Sequence, residues 1–224
     1  MKLKKTPRNV FIALLSVNVI LIALHLVLQY FQLNGEVSQY FMDVARRFNM
    51  DAEVSVSTWY EQILFLVVAQ AFAYIAYQAY KKKRLFKRHW AFLAGLCVYL
   101  SMDEGSELHE LLIAPVQHTL GISEGLLFFA WIIPVGIALI VLGLTFSKFF
   151  FHLPKRTQAL FLTGVIVFIA GAIGVETVSG AYWESQNFVI DFNYRLLNAA
   201  EEGLEIFGLT IAFYGLLDYI KRLK

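Results

Sequence analysis

The chain has 224 residues, of which 58% are hydrophobic and only 16% charged, against about a quarter charged in an average soluble domain. That balance excludes an ordinary water-soluble globule and, with a mean hydropathy of +0.61, reads as an integral membrane protein. The net charge of +2 is too small an excess to indicate nucleic acid, and the single cysteine, Cys97, excludes both an internal disulfide and any cysteine-based metal motif.

A basic run from Met1 to Arg8 precedes the first apolar stretch, 9–31. This stretch is too long for a signal peptide and lacks a small-residue cleavage site after it, so it is read as a retained helix. Five further stretches, 59–80, 90–114, 125–147, 158–180 and 195–219, are each long enough to cross about 30 Å of hydrocarbon as a helix. The expected fold is therefore all-α: a polytopic membrane protein forming a six-transmembrane-helix bundle, with 1–224 as a single domain. In the long connection 32–58, Val37, Tyr40, Phe41, Val44 and Phe48 recur at helical spacing, with Asp43, Arg46 and Arg47 opposite. This predicts a short amphipathic helix on the outer surface, serving as a lid or as a packed connector. Pro134 falls inside the fourth span and should kink it. In the fifth span Gly164, Ala170, Gly171, Ala172, Gly174 and Gly180 offer a small-residue surface for another backbone, which would bring Glu176 against its neighbour.

The basic residues set the orientation. Lys2, Lys4, Lys5, Arg8, the run Lys81 to Arg84, Lys87, Arg88, Lys148, Lys155, Arg156, Lys221, Arg222 and Lys224 fall on one side of six alternating spans, and only Arg46, Arg47 and Arg195 fall on the other. By the positive-inside rule both termini are cytoplasmic.

Against this apolar background the chain carries Asp103, Glu104, Glu107 and Glu110 on the third span, Glu176 on the fifth, and Glu201, Glu202 and Glu205 on the sixth, with His109 and His25 within reach. An ionised side chain at the centre of a spanning helix costs about 2.5 to 3.5 kcal/mol, so eight uncompensated charges are prohibitive. The acids must be protonated, share a cation or line a wet cavity. At a rise of about 1.5 Å per residue these groups lie between about 6 and 16 Å below the outer ends of their helices, all in the outer half. On a continuous helix the four acids of the third span occupy an arc of roughly 120° and the three of the sixth an arc of roughly 100°, so both sets can face one interior.

Carboxylates with an imidazole suit a hard or borderline divalent metal ion such as Fe, Mn, Zn, Mg or Ca. Glu107-Leu-His-Glu110 and Glu202-Gly-Leu-Glu205 approach the Glu-x-x-His spacing of di-metal helix bundles, with glutamate in the place of histidine. The expected metal ligands are Asp103, Glu107, His109, Glu110, Glu176, Glu201 and Glu205. Glu104 and Glu202, at the edges of their arcs, are the expected non-ligating catalytic bases. His25 is read as a hydrogen-bonded interior residue.

The blocks Phe48-Asn-Met-Asp-Ala-Glu53, Thr58-Trp-Tyr60, Ser101-Met-Asp-Glu104, His109-Glu110 and Glu201-Glu-Gly-Leu-Glu205 resemble blocks in a group of uncharacterised bacterial multi-pass membrane proteins. That resemblance implies a bacterial inner (plasma) membrane and no particular activity. In size, and in having Ser, Asp and His within helices, the chain is also distantly similar to the alkaline ceramidase and progestin-receptor intramembrane metallohydrolases. The sixth span, however, carries glutamates where that superfamily has a His-x-x-x-His.

The function expected is a metal-dependent membrane enzyme acting on a lipid or lipid-soluble substrate, either a hydrolase or a di-metal oxidoreductase, with membrane lipids as surroundings and no nucleic-acid partner. Two rivals use the same acids: a proton or divalent-cation transporter, and a structural membrane subunit whose acids meet basic groups on another protein. The apolar inner halves of the third and sixth spans favour a one-sided pocket over a through-path.

Overall fold

A computed structural model describes residues 6–122 and 124–223. Lys2, Lys4, Lys5 and Lys224, counted above among the basic residues, lie outside the described residues. Among those described, the regular elements are all helical.

Helix α1 (Pro7–Asn34) opens on a proline, whose missing N–H costs nothing in a first turn. Helix α2 (Gln39–Arg47) is capped by Ser38, whose hydroxyl accepts from Phe41 N, and α3 (Val56–Lys81) by Ser55, which accepts from Thr58 N. Lys83 (φ 51°) and Phe86 (φ 60°) take left-handed backbone in the tight turn into α4 (Lys87–Glu104). The short helix α5 (Ile113–Leu120) leads to α6 (Ile132–His152). Helix α7 (Lys155–Ile169) runs through a π-helical turn, Ala170–Val175, directly into α8 (Glu176–Ser185). Helix α9 (Phe192–Arg222) is capped by Asp191, which accepts from Tyr194 N.

Five helical stretches are long and apolar enough to cross a membrane: α1, α3, α6, the continuous α7–α8 unit and α9. Helix α4 differs because its 18 residues begin with Lys87 and Arg88 and end with Asp103 and Glu104, which leaves only a short apolar middle. Large apolar side chains cover the bundle's exterior, among them Val19 and Ile20 on α1 and Ile140 and Leu144 on α6. A surface of that kind is stable only against lipid or another apolar partner.

Three sequence expectations change. The predicted span 90–114 is not one helix: α4 stops at Glu104, and the chain turns through Glu107, which has φ 45°. The Asp103 carboxylate drives this break by accepting from His109 N at 2.9 Å and pairing with His109 Nδ1 at 2.9 Å, which folds the chain back on itself. Gly105 also packs directly against the end of the Gln62 side chain of α3, which a Cβ at this position would displace. The single arc drawn for Asp103, Glu104, Glu107 and Glu110 is therefore split in two. Pro134 kinks nothing, because α6 begins at Ile132 and the proline sits in its first turn. The helix irregularity falls instead on the fifth span, as the π-turn before Glu176.

Helix α9 is the hub, packing against α1, α3, α7 and α8. Its closest approach is to α7: a Cβ on Gly208 would lie 2.6 Å from Phe168 N, one on Gly164 would lie 2.8 Å from Gly208 O, and one on Gly171 would lie 2.5 Å from Glu201 O. The small-residue surface works through Gly164 and Gly171 and brings Glu201 against the π-turn.

The bundle has two unlike ends. At the basic end Leu64, Phe65, Val68, Phe72, Ile75, Trp90, Phe149, Leu209, Phe213 and Leu216 form one continuous buried core. At the opposite end lie the acids.

Candidate carboxylate site

Glu61 projects from the second turn of α3, Glu104 is the last residue of α4, and Glu205 lies midway along α9. One carboxylate oxygen from each falls within 4.8 Å of the other two. Glu61 is 1% exposed, and its Oε1 has no hydrogen-bond partner. Among the described residues no Lys or Arg side chain comes within ion-pair distance of any of the three.

Coulomb's law shows why this matters. Two unit charges about 4.8 Å apart repel by about 3.5 kcal/mol even at an effective dielectric of about 20. Three such pairs total about 10 kcal/mol, comparable to the whole stability of a typical domain. Three bare carboxylates cannot persist here, so protons or a bound cation must neutralise them. The all-oxygen donor set fits a hard divalent cation.

Around this trio stand the other acids. Glu202, one turn from Glu205 on α9, lies within Coulombic reach of Glu61, Glu104, Glu201 and Glu205. Glu201 accepts from Ser179 Oγ of α8 at 3.0 Å. Glu176, 8% exposed, accepts from Trp131 Nε1 at 2.8 Å. Asp103 is engaged with His109, whose ring lies 4.6 Å from that of Trp131. Asp103, His109, Trp131 and Glu176 thus form a connected chain beside the trio. Glu107 lies beside Glu53 and Glu110 in the turn after α4, and Glu110 opens a 3-10 turn, Glu110–Leu112. Of the seven expected ligands, Glu205 alone belongs to the compact trio. Glu104, expected as a base, stands in it as well.

Glu61 did not figure among the sequence candidates. It sits beside Trp59 and Tyr60, which read as interface aromatics, only two residues into the predicted span. Its signal was a carboxylate inside an apolar span followed directly by Gln62 and, two turns on, by Gln70.

His25 is fully buried: Met50 N donates to its Nδ1 at 2.9 Å, so the ring proton lies on Nε2, which donates to Arg195 O at 3.2 Å. The nearby Arg195 guanidinium is matched to Asp51 at 2.8 Å and Asn49 at 3.3 Å, while Asn198 Nδ2 donates to Asp51 Oδ1 at 2.7 Å. The one cation of α9 near the acids is therefore committed elsewhere. Beneath the trio, Tyr60 Oη donates to Asn18 Oδ1 at 2.7 Å, and Asn18 Nδ2 donates to Thr210 and to Ile206 O. This closes the polar region on the side of the apolar core.

A family described as a domain of unknown function (DUF8692) has a model that matches residues 11–219. No curated protein and no solved structure matches the chain. The chain belongs to the DUF8692 family, a membership that carries no activity with it.

Proposed function

We propose that the chain is a bacterial inner-membrane protein whose Glu61, Glu104 and Glu205 hold a divalent metal ion, and that this site serves a membrane enzyme acting on a lipid or lipid-soluble substrate. The observation that carries the reading is the convergence of three carboxylates with no Lys or Arg partner among the described residues, one of them fully buried with an oxygen left unpartnered. Intramembrane acids without counter-ions mark functional sites by default.

In this reading α4 is the sixth crossing. Its 18 residues reach about 27 Å, from Lys87 and Arg88 at the cytoplasmic surface to Asp103 and Glu104 beneath the outer one. The basic end, with Lys81 to Arg84, Lys87, Arg88, Lys155 and Arg156, faces the cytoplasm with both termini, and the carboxylate site opens toward the extracytoplasmic side. The short helix α2 then lies on the outer surface.

A divalent ion at the trio would supply Lewis acidity, polarising a carbonyl or phosphoryl group and acidifying water. The protein's own groups divide the remaining work. Glu202, close to the trio and outside it, accepts the proton as general base. Asp103, His109, Glu176 and Glu201 bound the mouth and orient the substrate, each fixed by the partner described above. Glu107 and Glu110 lie farther out and meet polar parts of a substrate first. The enzyme reading is preferred to transport because the half of the bundle beyond Tyr60, Asn18 and Thr210 is largely apolar, with no polar route to the basic end among the described residues.

The test is turnover. Full-length protein in mild detergent is incubated with a membrane lipid extract, with and without chelator, alongside Glu202→Gln. Product formation abolished by both treatments supports the proposal. Unaltered lipid together with cation or proton flux in proteoliposomes overturns it in favour of the transporter.

A further inference from the structure

At the basic end the structure holds a cavity of about 330 Å³ between α3, α4, α6 and α9, independent of the carboxylate site. Its lining is aromatic and apolar, with Ile75, Trp90 and Phe149 nearly covered at the base, Tyr219 alongside and Leu85 exposed at the edge. Its rim carries Arg84 and His152. One water occupies about 30 Å³ of liquid, so the space accepts on the order of ten heavy atoms. That is too small for a bulky substrate and suits part of an amphipathic molecule.

The rim is held open by the turn between α3 and α4. Arg84 N donates to Ala79 O at 2.8 Å, and the left-handed conformations of Lys83 and Phe86 turn the chain back over the cavity. The Phe86 ring then packs on Phe149 at 5.8 Å and on His152 at 5.2 Å, forming a wall. Left-handed backbone at a residue with a Cβ costs about 1–2 kcal/mol, so the arrangement is maintained against strain.

Charge identifies the occupant. Arg84 makes no ion pair among the described residues, and Lys82, Lys83, Lys87 and Arg88 lie within four residues of it along the chain. The acid at this end, Asp218, is taken by Arg156 at 3.4 Å and Arg222 at 3.0 Å. An apolar floor beneath an unpaired guanidinium, at the level where the α3 and α4 termini meet the membrane surface, complements a phosphodiester attached to an acyl chain. A zwitterionic lipid would bring its own cation against the same basic rim.

We infer that this cavity is a binding site for an anionic phospholipid, with the phosphate on Arg84 and the upper part of one acyl chain against Leu85, close to Trp90. The test uses full-length protein in mild detergent, titrated with phosphatidylglycerol brominated on its acyl chains, with quenching of tryptophan fluorescence as the signal. Trp59, Trp131 and Trp183 lie toward the acidic end, so Trp90→Phe removes the pocket-specific quenching. Arg84→Gln changes an exposed side chain, leaves the packing intact and should weaken binding about fivefold, from about 1 kcal/mol per basic residue at a membrane surface. Arg84→Lys should restore most of it. Brominated phosphatidylcholine quenching as strongly as phosphatidylglycerol, or Arg84→Gln leaving the affinity unchanged, would overturn the inference. So would inorganic phosphate displacing the lipid at millimolar concentration, which would make the site one for free phosphate.

Discussion

The two ends of the bundle solve opposite problems with the same helices. Away from the acids, α3, α4 and α9 interlock large side chains around Phe72, Phe213 and Leu216, and stability comes from close packing. Toward the acidic end, α3, α4 and α9 present Glu61, Glu104 and Glu205 to one another, which raises the energy unless something neutralises them. One end is built for stability. The other carries a destabilising arrangement of the kind proteins retain where they need it for function.

The comparison predicts that substitutions in the packed core and within the carboxylate trio have opposite signs, and thermal or denaturant unfolding of the detergent-solubilised protein can check this. Leu216→Ala, at a site with 0% exposure, should cost about 3 kcal/mol, because the surrounding core relaxes only partly around the cavity. Asp51→Ala, in the shell between the acids and the loops, should cost about 2 kcal/mol by stripping Arg195 and Asn198 of a charged partner. If Leu216→Ala proved neutral, the packed end would not be the source of stability.

At the acidic end the sign should reverse. Glu61→Gln keeps the shape and removes the cost of neutralising a buried carboxylate, so in metal-free buffer it should stabilise the protein by about 1 kcal/mol. A loss of stability in metal-free buffer would mean that Glu61 serves as a structural hydrogen-bonding group.

The smallest effect is at the N-cap of α9. Asp191→Ala should cost about 1 kcal/mol. Hydrogen bonds from Tyr194 N and Tyr182 Oη hold the Asp191 carboxyl below its usual range. A lowered folded-state value means that its contribution is fully present above the unfolded value near 4 and is lost as pH falls through the folded value. The pH dependence of unfolding below about pH 4 should therefore be shallower in the alanine variant than in wild type. Equal slopes would show that the cap does not titrate with folding.

Much of this architecture is legible in the chain because lipid imposes a long, contiguous apolar signal, and five of the six stretches read from it coincide with helices long enough to cross. What escapes sequence reading depends on contacts between distant residues. Nothing local to the stretch 90–114 announces that Gly105 must tuck against Gln62 of α3, or that Asp103 will capture His109 and end the helix. The π-turn at Ala170–Val175 has no composition signal beyond small residues, and it lies where Gly171 closely approaches Glu201 O. Glu104 and Glu205 were recognisable as acids in apolar surroundings. Glu61 was masked by Trp59 and Tyr60, whose interfacial character gave a sufficient explanation for a polar neighbour.

The claim at the centre of the account is that three converging carboxylates share one cation, and direct counting of bound metal tests it. Metal-free full-length protein in nanodiscs is titrated with Mn²⁺ and the free ion followed by electron paramagnetic resonance, beside the triple variant Glu61→Gln, Glu104→Gln, Glu205→Gln. The account predicts one tightly held ion per wild-type chain and its loss in the variant. Equal Mn²⁺ uptake by the two proteins, or none by either, would contradict it.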